Sequence, residues 1–435
     1  MSEFKTSIPP ADLTQINGAL SAANREFAAF YPGESNRRQP VHVLYGGGHL
    51  FKADSARKLG ETALRSLADN APDAASLAAA LGLEGGAAFA ERLYARVVEK
   101  LRREPVEDFR LDYEDGYGNR LDAEEDGHAA QGGREVARGL VDGTLPPFIG
   151  IRIKPMNEDL RVRAARTLDI FVTTMLGESG GRLPENFVIT IPKVQIAEQV
   201  TAVVKLLEVL ERKNGLAAGA LKIELMLETP QAIIDRHGKL PLPSLIAAAH
   251  GRCTGVHFGV YDYTASRNIT AAYQGMSHAV CDFAREVMAI SLAGTGIFLS
   301  DGATNILPVG SPDTVRHAWK LAFLDTSHSL KMGIYEGWDL HPSQFIARYA
   351  AVYAFFLGGL EAASKRLKAF MEKAALASLC GDVFDDAATG QGLLNFFLRG
   401  ISCGAITEAE ALATGLTLEE IRMRSFLKIL QARRG

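Results

Sequence analysis

Eight short apolar segments, set apart by helix-like stretches, constrain this sequence more than any other feature. They are VHVLY (41–45), DFRLDYED (108–115), FIGIRIKP (148–155) and FVITIPKV (187–194), then LKIELMLE (221–228), VHFGVYDY (256–263), GIFLSDG (296–302) and MGIYEGWDLHP (332–342). Segments such as AEQVTAVVKLLEVLERKNG and HAVCDFAREVMAISLAGTG fill most of the gaps with helical patterning. Strands that alternate with helices build βα units and a parallel sheet. Eight such units in about 300 residues fit a (β/α)8 barrel of the TIM type.

Side-chain alternation favours closure of that sheet. In the second segment Phe109, Leu111 and Tyr113 share one face, and Arg110, Asp112 and Glu114 the other. In the fifth, Ile223, Leu225 and Leu227 oppose Glu224, Met226 and Glu228; in the third, Ile149, Ile151 and Ile153 oppose Arg152 and Lys154. A period of two gives each strand an apolar face for the helices and a polar face for the barrel interior. Charges on the inner face must pair there or meet a ligand. An open doubly wound sheet, covered on both faces, would read as continuous apolar runs.

This barrel is expected over 39–345. Residues 1–38 form a helical lead-in that ends in the polar linker GESNRRQP. Residues 46–107 are long for one connection, and SARKLGETALRSLAD and AAFAERLYARVVEKLRR within them read as an inserted helical element. Beyond His341-Pro342 the pattern turns wholly helical, giving a C-terminal helical module over 346–435 that is expected to serve as a lid, an oligomer contact or both. Thr407 with Glu410 and Thr417 with Glu420 fit capping boxes that start two of its helices.

Composition removes several function classes. With 435 residues, 47% of them hydrophobic, and a formal charge of −4, the chain resembles an ordinary globular protein and offers no basic surface for nucleic acid or an acidic membrane. Cys253, Cys281, Cys380 and Cys403 are scattered, without zinc spacing or a disulfide framework, so a reducing cytoplasm is expected. The N-terminus MSEFKTSIPPADL lacks the pattern of a secretory signal, and no apolar run predicts a transmembrane helix.

Active sites of such barrels lie at the C-terminal ends of the strands. Those ends carry Glu114-Asp115, Arg152 to Asn157, Lys193, Glu228-Thr229, Asp262, Asp301 and His341. Glu228 and Asp262 end neighbouring strands, and two adjacent carboxylates suit a hard divalent cation such as Mg²⁺ or Mn²⁺. A cation there acts as a Lewis acid on the carbonyl oxygen of a 2-oxo acid. Arg152 offers a fork to the same oxygen or to the enolate that develops from it. His257 reads as a satisfied core histidine, whereas His341 fits a structural hydrogen bond as well as a rim role.

At this point the motifs resemble those of a known family, the citrate lyase β-subunit-like branch of the aldolase/citrate lyase family in the phosphoenolpyruvate/pyruvate barrel superfamily. DYEDGY (112–117) is similar to its D-L-E-D-A-V motif, GIRIKP to its R-V-N strand and TIPKVQ to its L-P-K-V-E strand. MLETPQAI resembles its I-E-T-A-x-G-V metal strand and FGVYDYTAS its G-x-x-D-L strand; GIFLSDG and DLHPSQF resemble A-I-D and I-H-P-x-Q. The motifs keep the family's order over about residues 40–345. The resemblance implies Mg²⁺ ligation by Glu228 and Asp262, enolate or carboxylate contact by Arg152, and an outer role for Glu114 and Asp115. It also implies assembly as a homo-oligomer, and the apolar run YAAVYAFFLGGL suits the contact. Related pyruvate aldolases place a histidine base where this chain has Asp115, which points toward the acyl-CoA or citryl-type branch.

The sequence departs from the family pattern in three places. Lys154 replaces the asparagine of R-V-N, or Asn157 takes over its contact. Tyr45 is followed by Gly46-Gly47-Gly48-His49 in place of a P-G turn. Gly47 and Gly48 there suit either a tight turn or a phosphate held by backbone N–H groups. The acid that such lyases take from a short C-terminal segment has only Asp385 and Asp386 as candidates, and both also fit a helix cap. The leading expectation is therefore a Mg²⁺-dependent carbon–carbon lyase or condensing enzyme. Its substrate is a 2-oxo acid, its aldol adduct or an acyl-CoA; Lys193 acts in catalysis, and Thr229, Gly47 and Gly48 bind substrate. A phosphoenolpyruvate-type enzyme using the glycine turn with Lys52 and Lys193, and a non-catalytic carboxylate-binding barrel, are the alternatives.

Overall fold

The computed structural model describes residues 7–372, apart from 34 and 36, together with 378–380, 383–385 and 387–434. Eight parallel strands close into a barrel in chain order: β1 (His42–Gly47), β2 (Asp108–Asp112), β3 (Phe148–Arg152), β4 (Phe187–Ile191), β5 (Lys222–Leu227), β6 (Cys253–Phe258), β7 (Phe298–Ala303) and β8 (Glu336–Asp339). β8 pairs back onto β1, with His42 opposite Gly337 and Leu44 opposite Asp339. The (β/α)8 architecture expected from the sequence is the observed one.

The alternation acts as expected. Ile149, Ile151, Ile189, Ile223, Leu225 and Leu227 belong to the main core between strands and helices, and all are fully buried. On the inner face Val43, Tyr45 and Met226 form a small separate apolar cluster, with Trp338 packed against it. Below this plug Asp108, Arg110, Glu224 and His257 share hydrogen bonds, whereas Glu336 has no partner for either carboxylate oxygen. Arg110 Nη2 lies 2.7 Å from Glu224 Oε2, and its Nη1 also bonds Asp108. His257 Nε2 meets Glu224 Oε2 at 3.0 Å, while the indole N–H of Trp338 donates to His257 Nδ1 at 3.2 Å. His257 is thus a satisfied core histidine.

The sixth strand was expected over 256–263, and here the structure corrects the register. β6 runs from Cys253 to Phe258, and a helix, Val260–Ser266, begins at once. The Gly259 N–H still bonds Leu227 O across the sheet, but the Gly259 carbonyl accepts from Tyr263 N, which starts the helical turn. Asp262 therefore stands in a first helical turn and not at a strand end.

Outside the barrel, the lead-in contains α1 (Pro10–Phe30). The insertion after β1 holds three helices: α2 (Ser55–Asn70), α3 (Ala74–Leu81) and α4 (Gly86–Arg103). α3 starts at a capping box in which Asp73 and Ser76 each bond the other's backbone N–H. The barrel's eighth helix is Gln344–Glu372, docked by Arg348 onto Asp339 at 3.0 Å and by the Tyr349 hydroxyl onto the Pro105 carbonyl at 3.0 Å. Tyr349, Tyr353, Phe356 and Leu357 are buried inside this chain, so most of the run YAAVYAFFLGGL is core. That helix is long and apolar enough to cross a membrane by composition, yet most of its apolar window is buried in the protein.

The end of the chain is not wholly helical. Two short antiparallel strands, Ser378–Cys380 and Val383–Asp385, precede the helix Ala387–Ser402. Asp385 thus lies on a strand, and Asp386 lies outside the described residues. The capping boxes of Thr407 with Glu410 and Thr417 with Glu420 are both present.

Candidate active site

The site is built on two neighbouring strand ends. Strand register sets Asp112, the last residue of β2, beside Arg152, the last residue of β3. Both side chains are buried. Arg152 Nε donates to Asp112 Oδ1 at 2.6 Å and Nη2 to Oδ2 at 2.5 Å, a bidentate fork. The same carboxylate accepts from Glu114 N at 3.0 Å and Gly116 N at 2.7 Å, which curls the chain after β2 back over the rim. The Arg152 guanidinium also lies 4.8 Å from the Tyr45 ring centroid and 5.7 Å from that of Trp338. With its rotamer fixed on three sides, Arg152 leaves Nη1 toward the rim, 3.2 Å from Glu114 Oε2 and 3.8 Å from Asp115 Oδ2.

Lys193 joins the remaining acids. It follows β4 with a left-handed backbone, φ +50°, a conformation L residues other than glycine, Asn and Asp rarely adopt. In that turn its backbone N–H donates to Glu228 Oε1 at 2.7 Å. Its ammonium reaches Glu114 Oε1 at 2.5 Å, Asp115 Oδ2 at 3.3 Å and Asp262 Oδ2 at 3.4 Å. One residue thus touches all four expected acidic site residues. Burial opposes its charge, but Glu228 and Glu114 outweigh that and hold the ammonium above its ordinary value.

Glu228 directly follows β5 and is almost fully buried. Burial first, and then the nearby Asp262 charge, push its carboxyl well above the usual range. The end of β6 passes so close that a Cβ at Gly259 would stand 2.4 Å from Glu228 Cβ. Glycine is required there for the acid to sit inside. Glu114 is likewise raised by burial, whereas Arg152 and Lys193 keep Asp115 low despite its partial burial. The Thr229 hydroxyl beside Glu228 is buried without a hydrogen-bond partner, as is the Tyr45 hydroxyl under Arg152.

These features test whether a divalent metal fits. Among the described residues no group of three or more His, Cys, Asp or Glu side chains is arranged to hold one. The donor chemistry nonetheless fits a hard cation that keeps several waters. Glu228 and Asp262 are both oxygen ligands, both touch Lys193, and the buried carboxyl of Glu228 lacks a full counter-charge.

Other expected residues serve structure. Gly48 N–H donates to Asp112 O at 2.8 Å, and a Cβ at Gly48 would stand 2.5 Å from the Tyr113 ring. A Cβ at Gly47 would stand 2.8 Å from Gly116 O. The glycine turn is thus a packing device. Lys52, its expected phosphate partner, lies 3.7 Å from Glu135. Lys154 bonds Tyr113 O and pairs with Glu125 at 2.8 Å, and Asn157 caps Leu160 N. Asp301 is spent on Arg285 and Ser329, and His341 accepts from Ser343 N at 3.2 Å. The residues that sequence reasoning left out are Asp112, Tyr45, Trp338 and Gly259. Asp112 shares the inward period of Arg110 and Glu114, which was a usable signal.

Fold and site together define a (β/α)8 barrel with a buried arginine and four carboxylates converging at its C-terminal rim. The chain belongs to the family described as Domain of unknown function (DUF6986), which matches residues 20–429. Among solved structures it is similar to a citrate lyase from Burkholderia xenovorans LB400. Identity is 17%, coverage is 86% of this chain and 94% of that chain, and the TM-score is 0.57. It is also similar to the protein CitE from Mycobacterium tuberculosis, solved with magnesium, acetoacetate and coenzyme A. There identity is 14%, coverage is 85% of this chain and 100% of that one, and the TM-score is 0.50. These likenesses show a shared barrel fold, in agreement with the resemblance read from the motifs. No curated protein sequence matches the chain.

Proposed function

We propose that this protein is a Mg²⁺- or Mn²⁺-dependent carbon–carbon lyase or condensing enzyme that works through an enolate, on a 2-oxo acid, its aldol adduct or an acyl-CoA. The observation that carries this reading is geometric: Glu228, almost fully buried, and Asp262 are both held by Lys193 at the rim where Asp112 fixes the Arg152 guanidinium. Glu228 and Asp262 are the residues that would hold the metal. Bound there, it supplies Lewis acidity toward a carbonyl oxygen.

The chain's own residues supply the rest. Asp112 fixes Arg152, so its Nη1, which faces Glu114 at the rim, is a preorganised donor for an oxygen that displaces Glu114 and gains negative charge in the transition state. Lys193 keeps Glu114, Asp115 and Asp262 gathered on one side of that donor. The Thr229 hydroxyl, with no partner in the protein, is available to a substrate carboxylate. The M. tuberculosis CitE was solved with magnesium, acetoacetate and coenzyme A, of which the divalent metal and the acyl carrier are classes proposed for this chain, and acetoacetate is a 3-oxo rather than a 2-oxo acid. We place the protein in a reducing cytoplasm, a reading supported by Cys253, Cys281 and Cys403, which are free and buried.

Calorimetric titration with oxaloacetate, pyruvate, phosphoenolpyruvate and acetyl-CoA, with and without Mg²⁺, tests the proposal. Binding of an oxo acid or acetyl-CoA is expected to require Mg²⁺ and to vanish in the Glu228→Ala, Asp262→Ala double variant. Binding indifferent to both metal and mutation would overturn the metal assignment.

A further inference from the structure

α1 buries no residue against the rest of the described chain, although it carries Leu13, Ile16, Leu20, Phe27 and Phe30, which remain between 41% and 64% exposed. These side chains are not scattered. Leu13, Ile16, Leu20, Ala23, Phe27 and Phe30 follow one another at steps of three, four, three, four and three residues. That is the a/d seam of a heptad repeat, the pattern that keeps a narrow stripe facing a partner helix. A helix that packs on a barrel shows the broader apolar face typical of globular helices, as α4 does with Leu93, Val97 and Leu101 inside its own chain. We infer that α1 is a dimerisation arm that pairs along this seam with α1 of a second copy of the chain.

The remaining surface of the helix agrees with that partner. Asp12 and Asn17, and Glu26 and Tyr31, flank the seam, so no two like charges need meet across a parallel pair. Arg25 is the only basic residue in α1, which makes an anionic lipid surface a poor fit. The side away from the seam carries Gln15, Ser21 and Arg25, suited to water. The helix spans about 31 Å. The five half-exposed seam side chains present on the order of 500 Å² of surface, the size of the largest patch on a typical monomer, which is often functional. Two copies would bury about 1,000 Å², the lower bound for a specific interface. At its far end the arm is moored to the barrel, where Gly33 N–H donates to Gly294 O at 2.8 Å. Most helical stability in proteins comes from packing of an apolar face, which α1 lacks within this chain and which a partner helix would supply.

Light scattering on the full-length protein at micromolar concentration tests the arm. The wild type is expected to show at least twice the 46.9 kDa chain mass, and Leu20→Asp and Phe27→Asp are each expected to halve it. Ser21→Asp, on the far face, is expected to keep the wild-type mass. All three variants should unfold at the wild-type temperature, because α1 adds nothing to the core. A Leu20→Cys, Ala23→Cys double variant is expected to form a covalent dimer on oxidation, whichever way the helices run. A monomeric wild type, a mass unchanged by both aspartates, or failure of the cysteine variant to cross-link would each overturn the inference.

Discussion

Inside the barrel Asp108, Arg110, Glu224 and His257 share hydrogen bonds, while Glu336 on β8 sits among them with neither carboxylate oxygen bonded. Burial, then the charges of Asp108 and Glu224, push its carboxyl well above the usual 4.5. A group held protonated in the fold stabilises it fully below the unfolded value, and that contribution is lost as pH rises toward the folded value. Glu336→Gln keeps the shape and removes the titration. Its stability in chemical denaturation should match wild type near pH 4 and exceed it increasingly above pH 4.5, by about 1.4 kcal/mol per unit until the folded value is passed. A constant difference across pH would contradict the assignment. Asp112, by contrast with Glu336 in its hydrogen bonding, has both oxygens used by Arg152 and two backbone N–H groups. From sequence, Asp112 is one more inward acid; only the β2–β3 register makes it the residue that aims Arg152.

At the scale of elements, the turn after β1 separates packing from ligand binding. Gly46, Gly47 and Gly48 each leave a neighbour no room for a Cβ, and a Cβ at Gly48 would meet the Tyr113 ring at 2.5 Å. Gly48→Ala should therefore destabilise the fold by about 1–3 kcal/mol through overpacking. Equilibrium urea unfolding measures this, and an unchanged midpoint would return the turn to the set of candidate phosphate sites. Strand existence was legible in the sequence because a period of two is strong over five or six residues. Strand ends were not. VHFGVYDY alternates as a strand to its last residue, yet the chain turns helical at Val260 because Gly259 must pass Glu228 closely and then accept from Tyr263. α3 was missed because AASLAAAL has no polar face to mark its period.

For the whole molecule, the barrel and the acidic character of its rim were legible. Closure follows from strands with one apolar and one charged face, and function concentrates where those strands end. The extent of the barrel was less visible. The apolarity of YAAVYAFFLGGL reads equally as core or interface, and the packing of Gln344–Glu372 against β8 and Pro105 decides for core. Interface character falls instead to α1, whose heptad was present in the sequence but looks like any amphipathic helix until its exposure along the whole seam is known. The four acids also converge more tightly than strand ends alone imply, because the left-handed turn at Lys193 lets one residue bond Glu228 through its backbone and Glu114, Asp115 and Asp262 through its side chain.

A rim that stabilises an enolate promotes proton exchange at the adjacent carbon, which reads that step without knowledge of the full reaction. Protein in D₂O with Mg²⁺ and either pyruvate or acetyl-CoA, followed by proton NMR, should lose the methyl signal faster than the protein-free control. Arg152→Lys, which cannot reproduce the fork on Asp112, and the Glu228→Gln, Asp262→Asn double variant should return the rate to that control. A wild-type protein that binds these ligands with Mg²⁺ yet exchanges no proton above the control rate would contradict the account.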